Sequence, residues 1–295
     1  MRAKLRSCLV VFGLLAAWTA GAVPNAVVDA VQAPAWVERG GRTLPLAPGM
    51  ELHNRDRVLT GSGARAIVQL ADGSAVKLGE NVSVAVNAMQ QGENGVFSAA
   101  LDVAKGAFRL TTDLFRKYQT QRAINVRTGA VTIGIRGTDL WGRSNEEKDF
   151  VCLLEGKIAV SHPLGEPAEL SEPLQFYGAD KGQAPGPVAV ADRAQVYQWA
   201  LETELQYAAG TRQPDGRWTL RYGLFDEPET LALYDRFQAA GYAVKVRPVR
   251  ADGGYLFEVR LGQLVSEREA RGLADRLQRE LQLPTHLPAA TISRH

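Results

Sequence analysis

Cysteine and histidine are nearly missing from this chain. Of its 295 residues, two are Cys and four are His. Cys8 sits in an apolar N-terminal run, which leaves Cys152 alone, so no intramolecular disulfide framework is available. Cys152 lies in the apolar stretch Phe-Val-Cys-Leu-Leu and reads as a small buried hydrophobe. His53, His162, His286 and His295 have no metal-ligand spacing. Gly-x-Ser-x-Gly is absent, and Gly134-Ile-Arg-Gly137 is followed by no helical pattern. That excludes a nucleophile elbow and a phosphate cradle. No catalytic residue, metal or cofactor is expected, and the chain reads as a binding protein, not an enzyme.

Long hydrophobic runs are scarce too. The first, residues 8–17, is about half the ~20 apolar residues a membrane span needs. It follows Arg2, Lys4 and Arg6 and precedes the small residues Ala20-Gly21-Ala22. This is the layout of a cleaved secretory signal over 1–22, which predicts a periplasmic protein with no membrane span after cleavage. Cleavage removes three basic side chains and no acidic ones, so 34 basic residues become 31 against 32 acidic, a net charge of −1. The whole-chain basicity therefore says nothing about nucleic acid.

What remains is a long β-rich stretch with glycine at its joints. Residues 23–35 read as a loose lead-in. Residues 65–70 and 74–78 flank Asp72-Gly73, a tight-hairpin signal. Further strands are expected near 82–86, 99–103, 106–110, 123–128, 130–135, 138–142 and 150–160, and 112–120 reads as a short helix or long loop. This spacing predicts an all-β module, sandwich or solenoid, within residues 23–165.

The landmarks Asp56-Arg-Val-Leu-Thr-Gly61, Leu70-Ala-Asp-Gly-Ser74, Gly106-Ala-Phe, Ile135-Arg-Gly-Thr-Asp139 and Leu154-Glu-Gly-Lys-Ile-Ala-Val160 resemble the FecR domain family over about 36–161. Members that regulate iron uptake are inner-membrane anti-sigma regulators with an all-β periplasmic part. With a cleaved signal in place of a cytoplasmic segment and a membrane helix, the resemblance implies only the β module, as a domain that binds a partner protein of the envelope.

Residues 166–213 are expected to be a Pro/Gly-rich stretch, either a linker or an irregular edge of the β domain, and a connecting helix over 192–209 that packs Trp199 against one domain. After the turn Asp215-Gly216, residues 214–290 repeat strand-helix-strand twice: strand 218–225, helix 226–240, strand 242–249, then strand 255–261, helix 266–281 and a last strand near 284–290. This is the βαββαβ pattern of an α+β, ferredoxin-like sandwich with one sheet face open. The same order occurs in RNA-binding sheets, but their aromatic stacking motif is missing, so no nucleic acid is expected.

Strand alternation places Leu220, Tyr222, Val244, Val246, Phe257, Val259 and Leu261 under the helices. Thr219, Arg221, Lys245, Arg247, Glu258 and Arg260 then share the open face, four of them basic. Half-exposed sheets are ordinarily polar, so a solvated face also accounts for them.

The strand ends Leu-Arg-Tyr-Gly-Leu-Phe (220–225) and Phe-Glu-Val-Arg-Leu-Gly (257–262), each leading to an Ala- and Leu-rich helix, resemble the SPOR domain family. The resemblance implies binding of peptidoglycan, in particular glycan strands stripped of their stem peptides. Arg221, Arg247, Arg260 and Lys245 are the residues to contact the lactyl carboxylates, because guanidinium suits carboxylate. Tyr255 and Phe225 are candidates to stack on sugar faces. Arg221 and Leu224 stand where the family usually has Gln and Ser, which implies an altered or weakened ligand. The alternative expectation is an envelope regulatory or scaffold protein whose β module holds a partner while this unit has lost or changed its glycan binding.

Overall fold

The computed structural model describes residues 24–92, 96–112, 122–135, 137–281, 283 and 290–294. The expected signal at 1–22 and most of the ambiguous 112–120 segment lie outside these residues. These residues are mostly β, with one large sheet, one small sheet and three helices among them.

In chain order the large sheet is built from β1 (Ala26–Gln32), β2 (Ala35–Arg39), β3 (Arg42–Pro45), β4 (Asp56–Thr60), β5 (Arg65–Leu70), β6 (Ala75–Leu78), β7 (Ser83–Gln91), β8 (Phe97–Thr111), β9 (Arg122–Thr128), β10 (Val131–Ile135), β11 (Asp139–Ser144), β12 (Lys148–Glu155), β13 (Ile158–His162), β14 (Gly165–Leu170), β15 (Gln175–Asp180) and β16 (Ala189–Val190). Helix α1 (Arg193–Leu201) follows. Then come β17 (Trp218–Phe225), α2 (Glu227–Ala239), β18 (Lys245–Ala251), β19 (Gly254–Leu264), α3 (Glu267–Glu280) and β20 (Thr291–Arg294).

Strand β8 organises the first region. Its first half pairs with β7 and, in parallel, with β9; its second half pairs with β6 and β11. The switch falls at Gly106, whose φ of +94° favours glycine. A Cβ there would lie 2.5 Å from Val82. The inward residues of the two halves, such as Val68 and Leu78 on one and Val84, Val126 and Ile133 on the other, share one buried cluster. The Asp72-Gly73 turn joins β5 to β6: Gly73 takes φ +88°, and Asp72 accepts from the Ser74 N–H and hydroxyl at 3.0 and 2.6 Å.

Two stretches differ from expectation, and a third resolves an alternative. Residues 26–32 are no loose lead-in: β1 is a mostly buried strand paired with β5. Alternating small apolar residues there (Ala26, Val28, Ala30) fill the core, which composition alone reads as a soft tail. Of the two expectations for 166–190, linker or irregular edge of the β domain, the structure has the edge: β14, β15 and β16 extend the large sheet from β13 and β12. Their prolines sit at edges and turns, where a missing N–H costs no ladder bond. Helix α1 ends at Leu201, and turns carry the chain onward.

Trp199 of α1 stacks on Trp141 of β11, with centroids 5.3 Å apart and planes 7° from parallel, and Phe150 tilts against both. Beyond it, Lys77 and Arg109 both bind Glu204, at 2.7 and 3.0 Å. These contacts tie the connecting segment to the large sheet.

The small sheet has the order β18-β19-β17-β20, all antiparallel. Two parallel strands, β17 and β18, thus flank β19, as a split βαβ requires. Asp226 caps α2 by accepting the Glu229 N–H at 2.9 Å, and Ser266 caps α3 through the same relation to Glu269 at 3.2 Å. Leu233 and Phe237 of α2 and Ala270, Leu273 and Leu277 of α3 cover one sheet face, where Tyr222, Val259 and Leu261 are buried. Tyr222 packs on Phe237 at 5.3 Å. The expected strands shift somewhat: β18 starts at Lys245 and the last described strand is β20. Of the residues expected to form that last strand, 284–289 lie outside the described ones.

The two regions share buried contacts. Val31 and Arg212 exchange backbone bonds at 3.0 Å, and Ala35 N–H donates to Gly241 O at 3.2 Å. Buried Gln32 donates to Thr211 Oγ1 at 2.7 Å and accepts from Gln206 N at 3.0 Å.

Candidate functional site: the open face of the small sheet

Cross-strand register sets out the face that no helix covers. One row reads Lys245, Arg260, Arg221, Thr291 across β18, β19, β17 and β20. The next reads Arg247, Glu258, Leu224, and the third pairs Val249 with Leu256. Opposed side chains in such rows lie about 5 Å apart at Cβ. A β-bulge at Gly223 puts one extra residue in β17, so Tyr222 and Phe225 both face the helices while Leu224 emerges on the open side.

The sequence-derived residues fare differently. Lys245, Arg247 and Arg260 stand on the open face, the first two exposed and Arg260 half-buried. Among the described residues none of the three forms an ion pair, although Arg247 stands opposite Glu258, which is engaged by Arg221. Arg221 is on this face too, but it is engaged: its Nε and Nη2 meet the Glu258 carboxylate at 2.7 and 2.5 Å. Glu258 is buried, so Arg221 serves first as its counter-ion. Leu224 is 49% exposed and, with Val249, adds an apolar spot beside that pair. Together they line a shallow cleft of about 300 Å³.

Two expected stacking residues are elsewhere. Phe225 is buried on the helix side because the bulge shifts its phase. Tyr255, opposite Arg250, alternates in phase with Phe257 and Val259, so it points to the helix side of the sheet near the hairpin end, although it is 64% exposed. Thr219 is on the open side but buried, and Val246, assigned to the core, is half-exposed on the edge strand β18.

One residue escaped sequence reasoning altogether. Arg212, in the segment before β17, is buried, and its backbone bridges Val31 of β1 and Leu264 of β19. Its Nε donates to Gly262 O at 2.8 Å. Burial pulls its guanidinium down from the usual range to about 10. It lines a second cleft of about 360 Å³ with Thr219, Lys245 and Arg260. It lies in a polar turn-like stretch, Thr-Arg-Gln-Pro-Asp-Gly, where no periodicity marks a buried cation.

Comparison with known proteins follows this division. Residues 56–159 match the FecR protein family and residues 214–285 match the SPOR domain family. The chain thus carries a FecR region followed by a SPOR domain. Two crystal structures of a chain assigned as an anti-sigma factor from Parabacteroides distasonis ATCC 8503 are similar at 13% and 11% identity. Each has a TM-score of 0.40, covers 81% of this chain and is itself covered to 97% and 99%. No curated protein matches the chain. Among the described residues no helix is long and apolar enough to cross a membrane.

Proposed function

We propose that this is a non-catalytic periplasmic protein that binds peptidoglycan through the open face of its SPOR domain, while the FecR region contacts or assembles with an envelope protein. The observation that carries the reading is the cation group Lys245, Arg247 and Arg260, set on one uncovered sheet face and forming no ion pair among the described residues. A glycan strand stripped of its peptides presents a carboxylate on every second sugar. An extended row of cations on a flat face suits such a ligand better than it suits a compact one.

The full chain is the material for the test, because Thr211 and Arg212 link the SPOR domain to β1 and a fragment starting at 214 would sever them. Purified protein is sedimented with sacculi before and after amidase treatment. The expected result is sedimentation that rises after amidase and falls at least about tenfold in Lys245→Glu/Arg247→Glu, a loss near 1.4 kcal/mol. No sedimentation with either preparation would reject the reading.

A second reading draws on the Arg221–Glu258 pair and the exposed Leu224. Together they replace part of the polar face with a neutralised pair and an apolar spot. In that reading the SPOR domain has lost or changed its glycan binding, and the FecR region holds the specificity in an envelope regulatory or scaffold role. Localisation decides: a full-length Lys245→Glu/Arg247→Glu chain that reaches the same envelope site as the wild type favours it.

A further inference from the structure

The cleft beside Arg212 has an unusual charge balance. Lys245 and Arg260 are directly opposite one another in the β18–β19 ladder, and Arg221 continues the row. Like charges directly opposed destabilise a sheet. Glu258 neutralises Arg221 only. Arg212 converges on the same cleft from the inter-region segment. It is 2% exposed, and its Nη1 finds no hydrogen-bond partner among the described residues. A buried guanidinium with an unsatisfied donor costs stability, and a neutral core residue at this position would avoid that cost. Thr219, also buried, belongs to the cleft lining. Three cationic residues and a threonine line it, and no acidic residue does.

We infer that Arg212, Lys245, Arg260 and Thr219 form a seat for a single oxyanion, a carboxylate carried by an acidic sugar chain, at the inter-region end of the open face. The seat rests on the peptidoglycan reading only for the identity of the carrier. A planar carboxylate suits guanidinium donors placed on two sides, with Lys245 as a mobile point charge at the rim. Arg212 is held at its base by the Gly262 carbonyl and by the bridge to β1 and β19, so its free nitrogen is fixed in place before any ligand arrives. Because Arg212 belongs to the ladder between the regions, an anion in the seat also tightens the joint between the FecR region and the SPOR domain.

The experiment separates the seat from the carrier. The full chain is titrated with sodium acetate and, separately, inorganic phosphate, and the arginine side-chain N–H signals are followed by NMR. A saturable shift of the Arg212 signal with acetate is expected. In Lys245→Ala/Arg260→Gln the midpoint should move at least about tenfold higher, with a melting temperature no lower than the wild type showing that the fold is intact. No saturable shift at Arg212 with either anion overturns the proposal, and saturation by phosphate alone overturns the carboxylate assignment. In a second arm, amidase-treated sacculi are compared before and after their carboxylates are capped as neutral amides. Capping should weaken sedimentation at least about fivefold. Equal binding to capped and uncapped strands overturns the seat while leaving peptidoglycan binding intact. A seat that takes acetate in a chain that sediments with neither preparation supports the seat and rejects the carrier.

Discussion

The Glu269 carboxylate accepts the Gly210 N–H at 2.7 Å, and its two oxygens also take the N–H groups of Ala208 and Thr211, each at 2.8 Å. Ser266 and Glu269 have capping-box spacing, in which the glutamate usually returns to the cap residue. Here it leaves its own helix and orders the segment entering the SPOR domain. Glu269 is buried, so Glu269→Ala strands three backbone donors; a loss of about 2–3 kcal/mol is expected from charge-assisted bonds of this kind. Urea unfolding checks it, and proteolysis should open first within 202–212.

Gly272 stands one turn further along α3, facing the same segment. Replacing a helical glycine by alanine normally gains about 1 kcal/mol. At Gly272 a Cβ would run into the Ala208 carbonyl, which is backbone and cannot swing away. Gly272→Ala should therefore destabilise by about 2 kcal/mol, opposite in sign to the propensity effect. A raised melting temperature would contradict this packing.

Arg221 and Glu258 divide structure from binding on the open face. Arg221→Ala leaves a buried carboxylate without its cation and should cost about 2 kcal/mol of stability, moderated by the partial exposure of Arg221. Arg247→Ala, on an exposed side chain that forms no ion pair among the described residues, should change stability by less than about 0.5 kcal/mol while weakening sacculus binding. A double-mutant cycle on Arg221 and Glu258 should show coupling of about 1 kcal/mol or more.

Asp56 opens the FecR landmark and is buried, receiving Arg39 at 2.9 and 2.5 Å and the His53 N–H at 2.8 Å. Burial alone would raise its pKa, but the Arg39 and His53 hydrogen bonds outweigh that and hold the carboxyl below its usual range. With a folded pKa below the unfolded value of about 3.9, its contribution is present above that pH and is lost as pH falls through the folded value. Urea midpoints should drop below about pH 4 in the wild type. Asp56→Asn should be weaker at pH 7 by about 2 kcal/mol and flatter in acid.

Cys152 is fully buried, and burial pushes its thiol up to about 12. The native protein should resist a thiol reagent at pH 8 and react only on unfolding. The unfolded thiol ionises near 8.5, so the folded state binds more protons above that pH, and this contribution to stability falls as pH climbs toward 12. Cys152→Ala should remove that part of the alkaline slope. Fast labelling of the native chain would show that β12 is not closed around the thiol.

Local chemistry explains what could be read in advance. Asp72-Gly73 announces its hairpin because positive φ requires glycine, and the strands after it alternate on a period of two. Asp226 and Ser266 mark helix starts because a short polar side chain reaches the free N–H groups of the first turn. The repeated strand-helix-strand order and the landmarks from Asp56 to Val160 located both regions. Lys245, Arg247 and Arg260 were readable as surface cations because β18 and the part of β19 that faces it, Gly254 to Arg260, keep unbroken alternation.

What failed was decided at a distance. The bulge at Gly223 reversed the phase of Leu224 and Phe225, and it exists only because β19 is the partner strand. Proline-rich 166–190, open between linker and irregular sheet edge, took the edge because β12 and β13 had free sides to pair. Arg221 lost its freedom to Glu258, a residue 37 positions away. Arg212 shows the limit most clearly. A polar turn on its own predicts a solvated arginine; pairing with β1 and β19 buries it beside a cleft and leaves one donor without a partner among the described residues. Composition and spacing determined the two regions and the sign of the open face. Tertiary packing decided which cations stay free to bind, because pairing and burial depend on neighbours that the chain brings together only on folding.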